Sequence, residues 1–75
     1  MSERPIDALD KAKGKKIMVK LKNGDEIIGM LKALDLHLNL WLDEAECSKN
    51  GENKIRLGTV LVRGDTIVYA SPVQV

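Results

Sequence analysis

Residues 34–42 read LDLHLNLWL, a segment in which leucine occupies every second position. The positions between the leucines hold Asp35, His37, Asn39 and Trp41. Because successive side chains of an extended strand point to opposite faces, this alternation predicts a strand with one leucine face and one largely polar face. A hydrophobic core should lie against the leucine face.

Further alternating segments before and after this one predict an all-β domain. Together with residues 34–42, the expected strands comprise residues 16–22, 27–33, 55–62 and 66–70. Short connections between five such strands indicate a strongly bent antiparallel sheet, in the form of a small open barrel. Gly29 lies inside a strand, where glycine is typical of a sharp bend.

Glycine marks the three expected turns. Asn-Gly stands at 23–24 and again at 50–51, and this dipeptide favours a two-residue hairpin turn in which both residues adopt positive φ. Arg63-Gly64-Asp65 joins the last two strands, and Gly64 is expected to supply a positive φ there.

A short helix is predicted over residues 5–12. Pro5 suits the first helical position, because its missing N–H has no partner there in any case. Ile6, Leu9 and Ala12 form a narrow apolar stripe, and Gly14 ends the pattern. We expect this helix to cover one end of the barrel.

The last two strands are apolar at consecutive positions and not only at alternate ones. Residues 60–62 read VLV and residues 67–69 read IVY. A strand that is apolar on both faces is buried on both. Since a sheet of this size covers its own core with one face, the second face is expected to form a subunit interface.

Length and composition restrict the class of protein. With 75 residues, 44% of them hydrophobic and 31% charged, the chain makes one small globular domain, for which oligomerisation is an ordinary source of added stability. No apolar run is long enough for a membrane helix, and a single cysteine cannot form an intramolecular disulfide. No membrane association is expected, and the location expected is cytoplasmic. A net charge of +1 means that any nucleic-acid site must gather its cations at one place.

Asp35, His37 and Asn39 have two interpretations. An imidazole ring can stack on a base and an asparagine amide can pair with a base edge, so the three residues could form a recognition edge. Alternatively, they form a solvated strand face or loop. Arg63 is equally open, since it stands either in a plain hairpin or as a planar cation for a base or phosphate.

Other chemistry has little support in the sequence. His37, Asp35 and Cys47 do not make up a zinc ligand set, so no metal and no cofactor are expected. No serine or cysteine nucleophile lies near His37, and no glycine-rich phosphate loop is present, so the protein is not expected to be an enzyme.

Three motifs resemble those of the Sm-like (LSm) family, most closely its archaeal members. They are GMLKALDLHLNL at 29–40, RGDTIV at 63–68 and RPIDAL at 4–9. The resemblance implies a single Sm-like domain over residues 1–75, with the helix at 5–12, the first Sm motif over 16–42 and the second over 54–70.

In assembly, the resemblance implies a closed ring of identical copies, in which the fourth strand of one copy pairs with the fifth strand of the next. Archaeal members usually form seven-membered rings and bacterial host-factor relatives six-membered ones. A heptamer is therefore expected, with a hexamer as the alternative.

The resemblance also implies that the inner rim of the ring binds single-stranded, uridine-rich RNA, as a scaffold or chaperone in RNA processing. His37 and Arg63 would sandwich a base and Asn39 would read the uracil edge. Gly64 would place a backbone amide, and Asp65 a carboxylate, in the same pocket.

Asp35 would support the loop and Asn39 without contacting RNA. RNA-processing proteins are further candidate partners. Two other functions stay open from the sequence: a protein-interaction module of the SH3 type, and a structural ring that binds RNA weakly.

Overall fold

The computed structural model describes residues 4–49 and 52–73. Within these residues the chain forms one short helix, five strands and one turn of 3-10 helix, which confirms the all-β fold. The elements are α1 (Pro5–Asp10), β1 (Lys16–Leu21), β2 (Asp25–Leu34), β3 (Leu40–Lys49), β4 (Glu52–Val62), the 3-10 turn (Gly64–Thr66) and β5 (Ile67–Pro72).

The five strands form one antiparallel sheet in the order β4-β3-β2-β1-β5. Irregular pairing in β2, β3 and β4 allows the sheet to bend, for example beside Gly29, where a Cβ atom would lie 3.1 Å from Ala45. The concave side holds the core, whose largest fully buried side chains are Ile17, Val19, Leu31, Leu40 and Leu42. β4 and β5 lie at the two edges of the sheet.

The helix α1 begins at Pro5, as predicted, but ends at Asp10, two residues earlier than expected. Asp7 fixes its start, since the carboxylate accepts a hydrogen bond of 3.0 Å from the backbone N–H of Arg4. After Asp10 the chain turns, and Gly14 adopts a φ of 82° so that its N–H reaches the carbonyl oxygen of Leu31 at 2.8 Å. This turn leads directly into β1.

The expectation of one alternating strand over residues 34–42 is wrong. β2 ends at Leu34, β3 begins at Leu40, and the residues between them form a loop. Leu36 is 74% exposed, and Leu38 has a φ of 61°, so the leucines do not share one buried face. β3 instead begins at Leu40 and continues beyond the leucine segment to Lys49.

Two of the expected turns differ from their predicted geometry. Gly24 has a positive φ of 95° but Asn23 does not, because the N–H of Gly24 bonds to the carbonyl oxygen of Leu21 in a three-residue loop. Gly64 does not adopt a positive φ either, since it begins the 3-10 turn. The turn expected at 50–51 lies outside the described residues.

Candidate nucleic-acid interface

Two loops that are distant in sequence meet beside the ends of β3 and β4. The first connects β2 to β3 and the second connects β4 to β5. Five side chains or backbone segments from these loops line one open depression: His37, Asn39, Arg63, Gly64 and Asp65. The structure therefore brings all five residues of the expected RNA site together within a single chain.

Asp35 organises the first loop from within. Its carboxylate accepts hydrogen bonds from the backbone N–H of His37 at 2.9 Å, the backbone N–H of Asn39 at 3.0 Å and the Asn39 side-chain amide at 3.0 Å. The bond from the Asn39 side chain and those from the two backbone amides hold the pKa of Asp35 below its usual value. These local hydrogen bonds replace the backbone hydrogen bonds to a neighbouring strand that a continuous strand would need. The chain therefore forms a loop between β2 and β3.

Asn39 joins the two loops through its side-chain amide. The Nδ2 group donates to Asp35, and Oδ1 accepts a hydrogen bond of 2.8 Å from the backbone N–H of Gly64. Both partners fix which end of the amide is the donor and which is the acceptor. One N–H and one oxygen lone pair stay available for a ligand.

Gly64 is required by close packing and not by backbone conformation. A Cβ atom at this position would overlap with the carbonyl oxygen of His37 and would lie 3.0 Å from the carbonyl carbon of Leu38. Its N–H, expected to face RNA, donates to Asn39. The absence of a side chain at Gly64 is therefore what allows the two loops to touch.

Arg63 and Asp65 flank Gly64 on the exposed side of the depression. The guanidinium Nη2 lies 3.2 Å from the Asp65 carboxylate, and the two side chains are 79% and 64% exposed. An ion pair this exposed contributes little to stability, so Arg63 can turn towards a ligand at small cost. Thr66 stabilises the backbone of this turn, since its hydroxyl donates to the Arg63 carbonyl oxygen at 2.7 Å.

Sequence reasoning missed Thr66 and an apolar depression beside the site. The hydrogen bond made by Thr66 is predictable from the sequence, because threonine hydroxyls often donate to a backbone carbonyl oxygen three residues earlier. The second depression contains Trp41, which the alternating pattern placed on a polar strand face. Within residues 4–49 and 52–73 no cluster of acidic, histidine and cysteine side chains is suited to a metal ion, and no helix is long and apolar enough to cross a membrane.

A family model and known proteins match this chain over most of its length. The LSM domain family model matches residues 7–72. A Methanococcoides burtonii protein named as snRNP Sm-like is 46% identical over 72 residues, which cover 96% of this chain and 100% of that protein.

Two solved structures share the fold. The Pyrococcus abyssi Sm protein in complex with a uridine heptamer superimposes with a TM-score of 0.88 at 39% identity, covering 95% of this chain and 100% of that one. The P. aerophilum SmAP1 heptamer gives a TM-score of 0.90 at 36% identity and covers 99% of each chain. The family model and these relatives extend over nearly the whole chain, and the protein belongs to the Sm-like (LSm) family.

Proposed function

We propose that this protein is a ring-forming RNA-binding protein, not an enzyme, and that each copy binds a uracil base of single-stranded RNA in the depression between its two loops. The observation that carries the proposal is the fixed amide of Asn39, held from both ends by Asp35 and Gly64. A similar protein has been solved in complex with a uridine heptamer, which supports the choice of ligand.

The fixed amide favours uracil over cytosine. The Watson–Crick edge of uracil carries an N–H flanked by carbonyl oxygens, so the free lone pair of Asn39 Oδ1 can accept from it while the free Nδ2–H donates to a carbonyl. Cytosine has no hydrogen on that ring nitrogen, and Oδ1 would face another acceptor. Rotating the amide to suit cytosine would break its bonds to Asp35 and Gly64.

His37 and Arg63 supply the stacking surfaces. Both line the depression, one from each loop, and each has a flat group that can lie against a base. Stacking of this kind contributes about 1–3 kcal/mol per base. Every base has a flat face on which these groups can stack, so stacking gives affinity for any base. Asn39 gives the preference among bases.

Unpaired sheet edges support assembly into a ring. β4 and β5 lie at opposite edges, and each exposes apolar side chains, with Leu61 at 74%, Val68 at 59% and Tyr69 at 47%. One edge of each kind per copy gives a head-to-tail contact, which closes into a ring when the rotation per copy divides a full turn. We infer a seven-membered ring of identical copies, in keeping with the heptamer of the similar P. aerophilum protein.

A ring accounts for RNA binding by a chain of almost neutral charge. The net charge is +1, but repetition places one Arg63 per copy around a common opening. A strand held at one pocket is present at high effective concentration for the next, so modest single sites combine into tight binding. RNA binding by such a ring therefore needs no large basic surface on each copy.

Native mass spectrometry of the protein with a seven-nucleotide oligo(U), and with oligo(A) of equal length, tests the proposal. We expect one closed ring that takes up oligo(U) in preference to oligo(A), and a His37→Ala ring of the same subunit number that fails to take up most of the oligo(U). A ring indifferent to both RNAs would favour a structural ring. A monomer that takes up neither RNA would favour a protein-interaction module.

The cellular role is a further part of what we propose. A ring that holds uridine-rich single strands suits a scaffold or chaperone in RNA processing, with RNA-processing proteins as candidate partners. That role, those partners and a cytoplasmic location stay predictions.

A further inference from the structure

A second hollow adjoins the depression proposed to hold uracil, on the other side of Arg63 and Asp65. It forms where the connection between β1 and β2 meets the connection between β4 and β5, and we call it the lysine hollow. Its lining consists of Leu21, Lys22, Asn23, Arg63, Asp65 and Thr66. Since Arg63 and Asp65 also line the depression proposed for uracil, one RNA strand can contact both places.

Backbone hydrogen bonds fix Lys22 at the border of this hollow. Its N–H donates to the carbonyl oxygen of Thr66 at 2.8 Å, and the N–H of Gly24 donates to the carbonyl oxygen of Leu21 at 3.0 Å. Thr66 is in turn bonded to the Arg63 carbonyl oxygen through its hydroxyl. The backbones that carry Lys22 and Arg63 are therefore held next to each other by the fold.

Lys22 brings an uncompensated positive charge to the hollow. Its side chain is exposed and makes no ion pair within residues 4–49 and 52–73, whereas Lys20 pairs with Glu26 at 3.3 Å. Arg63 and Asp65 form their own ion pair at 3.2 Å, so their charges cancel. An anion that enters the hollow therefore meets an ammonium group that no carboxylate has already neutralised.

We propose that Lys22 binds the phosphate group next to the base held by His37, Asn39 and Arg63, so that each copy contacts both a base and the backbone of the strand. This inference rests on the proposed function. A phosphodiester carries a full negative charge, and a lysine ammonium binds it as a point charge through its N–H donors. Because every nucleotide offers the same phosphate, Lys22 adds affinity without any preference among bases.

Assembly into a ring leaves the lysine hollow accessible. Copies would pair through the sides of β4 and β5 that face away from the sheet, whereas Lys22 follows β1, which lies between β5 and β2. The apolar edge side chains that we assign to the contact between copies do not line the hollow. Arg63 must face the opening of the ring for RNA to reach it, and the hollow is on the same residue.

Salt titration of a charge-removing variant tests the proposal. Lys22→Gln removes the ammonium and keeps a long polar side chain. We expect it to bind seven-nucleotide oligo(U) more weakly than wild type, with a slope of log K against log salt that is shallower by about 0.7 for each phosphate released. The ratio of oligo(U) to oligo(C) affinity should be unchanged, and Lys22→Arg should restore the slope because it restores the charge.

An oligo(U) with methylphosphonate linkages separates phosphate binding from support of the loops. These linkages carry no charge, while the bases are the same. Lys22→Gln and wild type should therefore bind this strand with equal affinity. Native mass spectrometry should find the same subunit number for the two rings.

Lys54→Gln is a matched control. Lys54 lies on β4, is also exposed, and lines neither the lysine hollow nor the depression proposed for uracil. It removes the same charge from the chain as Lys22→Gln does. It should change the slope much less.

Four results would overturn the inference while leaving the proposed function intact: a wild-type slope in Lys22→Gln, equal weakening of the charged and uncharged strands, equal slopes for Lys22→Gln and Lys54→Gln, or loss of the ring in Lys22→Gln. The last of these would show that Lys22 acts in assembly. A wild-type ring that does not bind oligo(U) would overturn the proposed function as well.

Discussion

The side-chain oxygen of Asn39 accepts a hydrogen bond of 2.8 Å from the backbone N–H of Gly64, a residue 25 positions further along the chain. The same amide donates to Asp35 at 3.0 Å. Asn39 thus holds together the loop that carries His37 and the loop that carries Arg63. The depression for which we propose uracil binding, called the uracil site below, forms only when both loops are in place.

Replacing Asn39 with alanine should remove the preference for uridine. We expect the ratio of oligo(U) to oligo(C) affinity to fall towards one. The half-buried N–H of Gly64 would also be left without its acceptor, which costs about 1–3 kcal/mol of stability. Fluorescence anisotropy with labelled heptanucleotides measures the ratio.

Asn23→Ala is a matched control for this change. Asn23 also accepts a backbone hydrogen bond, from Asp25 at 2.9 Å. It does not line the depression that contains Asn39 and His37, although it borders Arg63 and Asp65 on their other side. Asn23→Ala should leave the ratio unchanged. A preference for uridine that survives in Asn39→Ala would contradict the base-reading role.

Replacing Arg63 with alanine should lower both affinity and salt dependence. Every phosphate that the protein no longer neutralises on a single strand reduces the slope of log K against log salt by about 0.7. Arg63→Lys should keep the slope but not the full affinity, since an ammonium group cannot stack on a base. Titrations of oligo(U) at several salt concentrations measure both quantities.

Arg56→Ala removes an arginine at a distance from the site. Arg56 lies on β4, is 92% exposed and faces Glu46 at 3.8 Å. It should alter affinity and slope much less than Arg63→Ala does. Equal effects from the two arginines would show that RNA binding depends on overall charge and not on the depression.

Gly64→Ala should separate the two loops. Its Cβ atom would overlap with the carbonyl oxygen of His37, so the Asn39 bond must lengthen or break. We expect loss of oligo(U) binding together with a lower unfolding temperature. Gly58→Ala has open space around its Cβ but a φ of 72°, so it should cost stability through backbone strain of about 1–3 kcal/mol while the depression still binds RNA.

The first loop should lose its order in acid. Hydrogen bonds from Asn39 and His37 hold the pKa of Asp35 below its usual value, so their stabilising contribution is complete above about pH 3.9 and is lost as pH falls through the lowered value. The amide resonances of His37 and Asn39 should shift with a midpoint below that of an ordinary aspartate. Asp35→Asn should remove this transition, and a midpoint at the ordinary value would contradict the hydrogen bonding.

Cys47 should react slowly with thiol reagents. Burial, followed by the nearby Asp25 carboxylate, raises the pKa of its thiol, so less thiolate is present at a given pH. We expect a disulfide reagent at pH 8 to modify the folded protein more slowly than the chain unfolded in urea. Equal rates would indicate that Cys47 is open to solvent.

Strand alternation was a reliable guide where one face of a strand meets the core. Ile17 and Val19 on β1, and Ile27 and Leu31 on β2, recur at alternate positions within the expected strands, and all four are buried. Successive side chains of a strand point to opposite faces, so a strand with one buried face must place its apolar residues at alternate positions.

Alternation gave a wrong prediction where hydrogen bonds to a side chain replace those between strands. Leu36 and Leu38 continue the leucine spacing through a loop that the Asp35 carboxylate stabilises, and nothing in the spacing distinguishes this loop from a strand. The meeting of His37 with Gly64 was likewise beyond any local pattern, because it depends on how β3 and β4 pair. Only the family resemblance placed those residues in one site.

Both loops that line the proposed uracil site belong to a single polypeptide, so the number of working sites in a ring of such copies can be varied. Mixing wild-type chains with chains that carry His37→Ala would disable pockets one at a time without leaving a half-built pocket at any junction. The affinity for a long RNA should then fall in steps with the proportion of altered chains. The shape of that decline counts how many pockets one RNA molecule must occupy to stay bound.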